Sequence, residues 1–388
     1  MSASAAIAEL TAGFEAPFGA LGRAGGASRS AADSDRDAVV IAWPSVPVEI
    51  VRAAGFRPVL ARGSAAPTPA ADRVIEADLF PSRHRQLVEA ALTGRLANVA
   101  AVVLPRTSDA DYKCFLYLRE LARLGAAPRL PPVWLFDLLQ SGGAEVPAYD
   151  RERARDLHER LASLAGRKAD ADELSAQIAL ANRARAAARR LAALRLDAPR
   201  LTGAEAVPLL GAFWQLDPER YAGLAAEAGA ALAARPPLSG ARILLAGAPV
   251  DDAALHRTLE AEGAVVVAES SPIGTGAARP DVDAAGDPVA ALAEHYRRES
   301  IDARLPVAAL MAKIDAALGG VDAVVVSLPP DDASFGWDYP RLRALLERRA
   351  IPHAVLESDP FSPPTAAERE RIRGLLDEVG RRREARRG

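Results

Sequence analysis

The sequence predicts an α/β chain: two parallel-sheet domains joined by a helical section. Three observations carry this. Short β-branched runs alternate with helical patterns up to about residue 149, the pattern of a parallel sheet with crossover helices. The alternation stops over 150–237, where long helical patterns dominate, and restarts after Pro236-Pro237. Residues 101–138 and 323–359 also echo one another, each reading strand, polar loop, helix, strand. The division expected is 1–37 (N-terminal helix and flexible linker), 38–149 (first α/β domain), 150–237 (helical connector) and 238–388 (second α/β domain).

In chain order, Ile7, Leu10, Phe14, Phe18 and Leu21 recur at helical spacing, and a Gly/Ser/Ala stretch follows as a linker. Residues 38–43 read as a buried strand and 46–55 as a helix. A strand at 99–104, a helix at 112–124 and a strand at 133–136 complete the first α/β set. Helices are predicted at 150–164, 171–196 and 218–234. The second set has strands at 243–246, 264–268, 323–326 and 353–356. Its helices lie at 253–262, 288–298, 307–318 and 339–349, with a last one from 366. Both sets are expected to fold as Rossmann- or flavodoxin-like sheets.

Composition narrows the function. The 388 residues carry a net charge of −3, so nothing electrostatic favours nucleic acid or an anionic membrane. No apolar run approaches the roughly 18–20 residues of a membrane span. Met1–Leu10 has neither a basic nor an apolar signal-peptide region. One cysteine, Cys114, excludes an internal disulfide framework and a Cys-rich zinc site, and fits a cytoplasmic protein.

The echo draws attention to two polar loops, 106–111 and 329–337, at the carboxyl ends of strands, where open α/β sheets bind ligands. Ser108, Asp109, Asp331 and Asp332 also have the chemistry of helix caps. Glu49 is an ionisable candidate at a strand end and helix start, and equally an exposed first-turn residue favoured by the helix dipole. Trp134, Trp214 and Trp337 read as packing residues, and His158, His256 and His295 lie on helical patterns without partners at ligand spacing. Gly274–Gly276 is too short for a dinucleotide fingerprint, and there is no P-loop or Gly-x-Ser-x-Gly pattern.

Five segments in register resemble the 2-hydroxyacyl-CoA dehydratase/benzoyl-CoA reductase family. They are Trp43-Pro44-Ser45-Val46-Pro47-Val48-Glu49-Ile50 running to Ala53-Ala54-Gly55-Phe56-Arg57-Pro58; Tyr117-Leu118-Arg119-Glu120 with Leu130-Pro131-Pro132 to Asp137; and Gly166-Arg167-Lys168 with the helix after it. Gly247-Ala248-Pro249-Val250-Asp251-Asp252 follows, with Leu255, Glu260, Gly263-Ala264 and Gly286-Asp287-Pro288. The last is Trp337-Asp338-Tyr339-Pro340 with Leu345, Ile351-Pro352 and Glu357-Ser358-Asp359. Within that family the pattern resembles the small-subunit branch of the benzoyl-CoA reductases. The resemblance implies a heterodimer of similar α/β subunits, each holding a 4Fe–4S cluster through three cysteines. It also implies an ATP-hydrolysing activator that delivers electrons, and an acyl-CoA substrate converted through a ketyl-type radical.

Against that pattern the chain departs at every ligand. The first family cysteine lies four residues before a helix-opening Arg, here Arg85, which gives Pro81. The second is the centre of a Thr-Cys-Asp triplet, here Thr107-Ser108-Asp109. The third, eight residues before Pro340, gives Asp332, with Asp331 one residue away. The family's loop of an acidic residue, Cys, Gly and Arg corresponds to 269–276, which has neither Cys nor Arg. A proline offers no side-chain ligand, and a serine hydroxyl substitutes poorly for a thiolate.

The function expected is therefore a cluster-free subunit that completes an acyl-CoA pocket beside an iron–sulfur-bearing homologous partner, with no cofactor of its own. Its candidate pocket residues are Trp43, Ser45, Glu49, Thr107, Ser108, Asp109 and Trp337. One alternative is a stand-alone acyl-CoA-binding or regulatory protein. Another is an enzyme with a hard-ligand metal site built from His84, Asp109, Asp331 and Asp332.

Overall fold

The computed structural model describes residues 3–15, 17–21, 35–127, 129–250, 252–283, 285–300, 304–330, 332, 334–359 and 361–387. The linker expected after the N-terminal helix, and Asp331, lie outside the described residues. The N-terminal helices are α1 (Ala3–Glu15) and α2 (Pro17–Ala20). The first α/β run is β1 (Ala38–Ile41), α3 (Val48–Ala53), β2 (Arg57–Leu60), α4 (Ser82–Leu92), β3 (Ala101–Pro105), α5 (Asp109–Arg123) and β4 (Val133–Phe136). Four helices follow: α6 (Val146–Leu164), α7 (Ala171–Ala193), α8 (Gly203–Gly211) and α9 (Pro218–Ala233). The second run begins β5 (Ala241–Gly247), α10 (Ala254–Ala261), β6 (Ala264–Glu269), α11 (Pro288–Arg298) and α12 (Val307–Ala317). It ends β7 (Ala323–Ser327), α13 (Phe335–Arg348), β8 (His353–Leu356) and α14 (Ala366–Arg387).

The internal echo is a real duplication of topology. The strand orders are β2-β1-β3-β4 and β6-β5-β7-β8, and all pairs are parallel. Strands buried on both faces explain the unbroken apolar runs at 38–41 and 323–326. In the first sheet Val39, Ile41 and Val103 pack with α3 and α6–α9, while Val40, Val102 and Leu104 pack with α4 and α5. In the second, Ile243, Leu245 and Val325 face α10 and α14, while Leu244, Val324 and Val326 face α12 and α13. Each fully buried Val, Leu or Ile contributes about 1.5–3 kcal/mol.

These faces position the site. From β1 the chain turns to one face through α3, and from the neighbouring β3 to the other through α5. The same split separates β5 with α10 from β7 with α13. A crevice opens at the carboxyl ends of the strands wherever the winding reverses in this way.

One stretch crosses between the halves. Ile273, Ala277, Val282, Leu292 and Tyr296 follow β6 in sequence but join the core of the first sheet and the helical section. Asn182 on α7 exchanges two 2.9 Å hydrogen bonds with the Val282 backbone. Trp214 Nε1 donates to the Ile273 carbonyl at 3.0 Å. Arg195, just after α7, pairs with Glu269 at the end of β6, and both side chains are 1% exposed.

Candidate functional site

The two crevices face one another and form one cavity of about 350 Å³, within the range of small-molecule sites. Its wall takes Trp43 beyond β1, Thr107 and Ser108 beyond β3, Gly247 to Pro249 at β5, Ser270 beyond β6, and Pro329 and Pro330 beyond β7. Gly247 has φ +105, and a Cβ there would overlap the Ser327 carbonyl, so this close approach of β5 to β7 requires glycine.

Three helices begin at this cavity: α4, α5 and α13. Two of these positive ends are capped by their own chain. Ser108 Oγ accepts from Asp111 N–H at 3.1 Å. The Asp332 carboxylate accepts from the N–H groups of Ser334, Phe335 and Gly336, each at 3.0 Å. The third, at Pro81, has no side-chain cap. The lining mixes Arg83 and Lys113 with Asp78, Asp109, Asp338 and Asp359, and adds apolar surface from Leu79, Leu310, Phe335 and Phe361.

Behind the lining lies a buried network that sequence reasoning missed. Asp111, with no solvent exposure, accepts from Thr107 Oγ1 at 2.6 Å, Ser108 Oγ at 2.8 Å and His84 Nε2 at 2.8 Å. Arg83 Nη2 is 3.4 Å from the same carboxylate, and its guanidinium lies 4.1 Å from the centre of the Trp43 ring. Burial works against the Asp111 charge, but Arg83, His84 and Thr107 hold its carboxyl far below the usual range. Burial and Arg83 lower His84 against the pull of Asp111, so the neutral imidazole donates through Nε2–H. The Ser-x-x-Asp spacing of Ser108 and Asp111 was the available signal, being a variant of the capping box.

The predicted site residues divide. Trp43, Thr107, Ser108 and Asp109 line the cavity, as do Pro81 and Asp332. Ser45 lines a separate recess of about 20 Å³ with Thr107, Arg106, Tyr296 and Arg304. Glu49 is neither a cavity residue nor an exposed one. It is wholly buried, ion-paired with Arg185 of α7, and receives the Tyr296 hydroxyl at 2.8 Å. Burial would raise its carboxyl, but Arg185, its own helix N–H and Tyr296 lower it. Trp337 is neither pocket wall nor packing: it is 86% exposed on the first turn of α13.

The hard-ligand site does not assemble among the described residues. His84 is buried against Asp111 away from the cavity wall, and Asp332 is spent on the α13 backbone. No group of three His, Cys, Asp or Glu among the described residues could hold a metal ion. The residues do not fit a 4Fe–4S cluster either. Pro81 has no donor, the Ser108 hydroxyl is committed to Asp111, and Asp332 caps α13. Cys114 is buried inside α5 with its thiol raised by burial and Asp111, outside the cavity wall.

A family model described as 2-hydroxyglutaryl-CoA dehydratase, D-component, matches residues 45–379. The chain therefore belongs to that family. No curated protein matches it. Among the described residues no helix is long and apolar enough to cross a membrane.

Proposed function

We propose that this family member is the cluster-free subunit of a dehydratase- or reductase-type complex, completing an acyl-CoA pocket beside an iron–sulfur-bearing partner. The observation that carries the reading is convergence. Pro81, Ser108 and Asp332, far apart in sequence, all line one cavity at the reversal points of both sheets, and none offers a thiolate. The cradle is kept and the ligands are gone. A cavity of about 350 Å³ with Leu79, Phe335 and Phe361 beside Arg83 and Lys113 suits the acyl end of a thioester. Low-potential electron transfer would then belong to the partner's cluster and to an ATP-dependent activator. This chain would contribute walls, charge and exclusion of water.

Co-expression with cysteine-bearing members of the family tests this. A stable pair is expected, with iron in the amount carried by the partner alone. Failure to associate with any of them would sink the proposal. The second reading, a stand-alone acyl-CoA-binding or regulatory protein, draws on the same cavity being built wholly from one chain. Calorimetry of the isolated chain with CoA thioesters separates the two, because saturable binding without a partner favours the second.

A further inference from the structure

We infer that Asp111 makes the inner wall of the cavity a metal-independent clamp between α4 and α5, and that its carboxylate bars an iron–sulfur cluster from this chain even where cysteines are restored. The inference rests on the reading that Pro81, Ser108 and Asp332 stand at the cluster positions. It needs no partner subunit.

Four side chains from two segments converge on one carboxylate. Arg83 and His84 reach Oδ1 from α4, at 3.4 and 2.8 Å. Thr107 and Ser108 reach Oδ2 from the turn into α5, at 2.6 and 2.8 Å. A carboxylate offers about four acceptor sites, so this one is filled from within the chain. One anion, one guanidinium, one imidazole and two hydroxyls thus tie the start of α4 to the start of α5, beside the apolar packing of Phe80 on Tyr117. In a cluster-bearing relative of the kind the resemblance implies, shared metal ligation would join the segments that hold Pro81 and Ser108 here.

The same geometry opposes a return to iron. Ser108 Oγ gives its one proton to Asp111 and accepts the Asp111 N–H. A cluster-bound thiolate at this position has no proton to give. It would set a second anionic atom against Oδ2 in a buried place, where like charges strongly disfavour one another. The carboxylate would lose a donor and stay buried. Changing the serine alone is therefore insufficient, and the anion behind it must go as well.

The test compares P81C/S108C/D332C with P81C/S108C/D111N/D332C. Each is incubated anaerobically with ferrous iron and sulfide and then desalted. Iron and sulfide per chain, visible absorption and the electron paramagnetic resonance spectrum of the reduced sample are read. The first variant is expected to retain no more iron than the native chain, and the second to retain iron and sulfide with a cluster spectrum. Loading of the first variant to the level of the second overturns the inference, as does failure of both to load. Asp111→Asn in the native background guards against misfolding of the multiple variants. It should speed amide exchange in α4 and α5 and lower the thermal midpoint, while a chelator leaves the native midpoint unchanged. Unaltered exchange in D111N, or a chelator-sensitive native chain, removes the clamp. Association with a partner enters none of these readouts, so failure here is distinct from failure of the heterodimer reading.

Discussion

Glu49 shows what a single residue can hide. Its place after Pro47 and Val48 marks it as a first-turn acid, and that much is legible in sequence. Its partner is not, because Arg185 lies 136 residues further on in α7. Arg185 is 2% exposed and Glu49 is not exposed at all, so each is the other's main compensation for lost hydration. Glu49→Gln should therefore cost about 3–5 kcal/mol by leaving a buried guanidinium without its counter-charge. Replacing both residues, Glu49→Leu with Arg185→Met, should recover most of that loss. Urea unfolding of the three chains checks it, and a double variant as unstable as the single would show that the pair itself stabilises the fold. Asp111 eluded sequence reading for a related reason. Thr107, Ser108 and Asp111 are close in sequence, but His84 and Arg83 arrive from another helix, and only the packed structure shows five polar side chains closing on one another.

At the scale of elements, seven of the eight strands among the described residues were legible as short apolar-rich runs, and β2 was not. β2 carries Pro58 in Arg57–Leu60, which weakens its strand signal. It is tolerated because β2 is the edge of its sheet, with a ladder on one side only. α8 begins at Gly203 and contains Pro208, so propensity argues against it; the Thr202–Glu205 capping box was the signal that argued for it. The helix expected at 339–349 starts earlier, at Phe335, because the Asp332 carboxylate caps a turn that precedes Pro340. Asp332→Ala should then destabilise the chain by about 1 kcal/mol, a normal loss for a removed N-cap. It should fray the first turn of α13, visible as faster exchange of the Phe335 and Gly336 amides. Asp332→Asn should restore most of the stability, since an amide oxygen also caps. Equal losses in both variants would mean that the carboxylate charge matters at this cavity wall beyond its capping geometry.

Across the whole molecule, sequence order and spatial order part company after β6. The crossing stretch ends in α11, where His295 lies 4% exposed with no hydrogen bond to Nε2, beside Tyr296, which is bonded to Glu49. Burial, then Arg185 and Arg279, lower His295 from the ordinary 6.5 to about 3, with Glu49 opposing and Arg298 adding to the fall. The unfolded chain thus binds a proton between about pH 6.5 and 3 that the folded chain refuses. Stability must rise with pH across this window and fall as acid is added, by at most about 1.4 kcal/mol per pH unit for this one group. His84, also lowered, acts with the same sign. The depressed carboxyls of Glu49, Asp111 and Glu269 enter only lower, as pH falls below their ordinary values near 4. Urea midpoints of the native chain should therefore fall between about pH 6.5 and 5 with histidine as the cause. His295→Gln should lose part of that slope while keeping its sign, because His84 still titrates. Parallel slopes in the two chains would mean that His295 takes up its proton inside the fold, with the crossing stretch already loosened from α6 and α7 at that pH. A reduced slope ties the acid sensitivity to the segment that fastens the second sheet to the first, and so to the element that keeps the two halves of the cavity opposed.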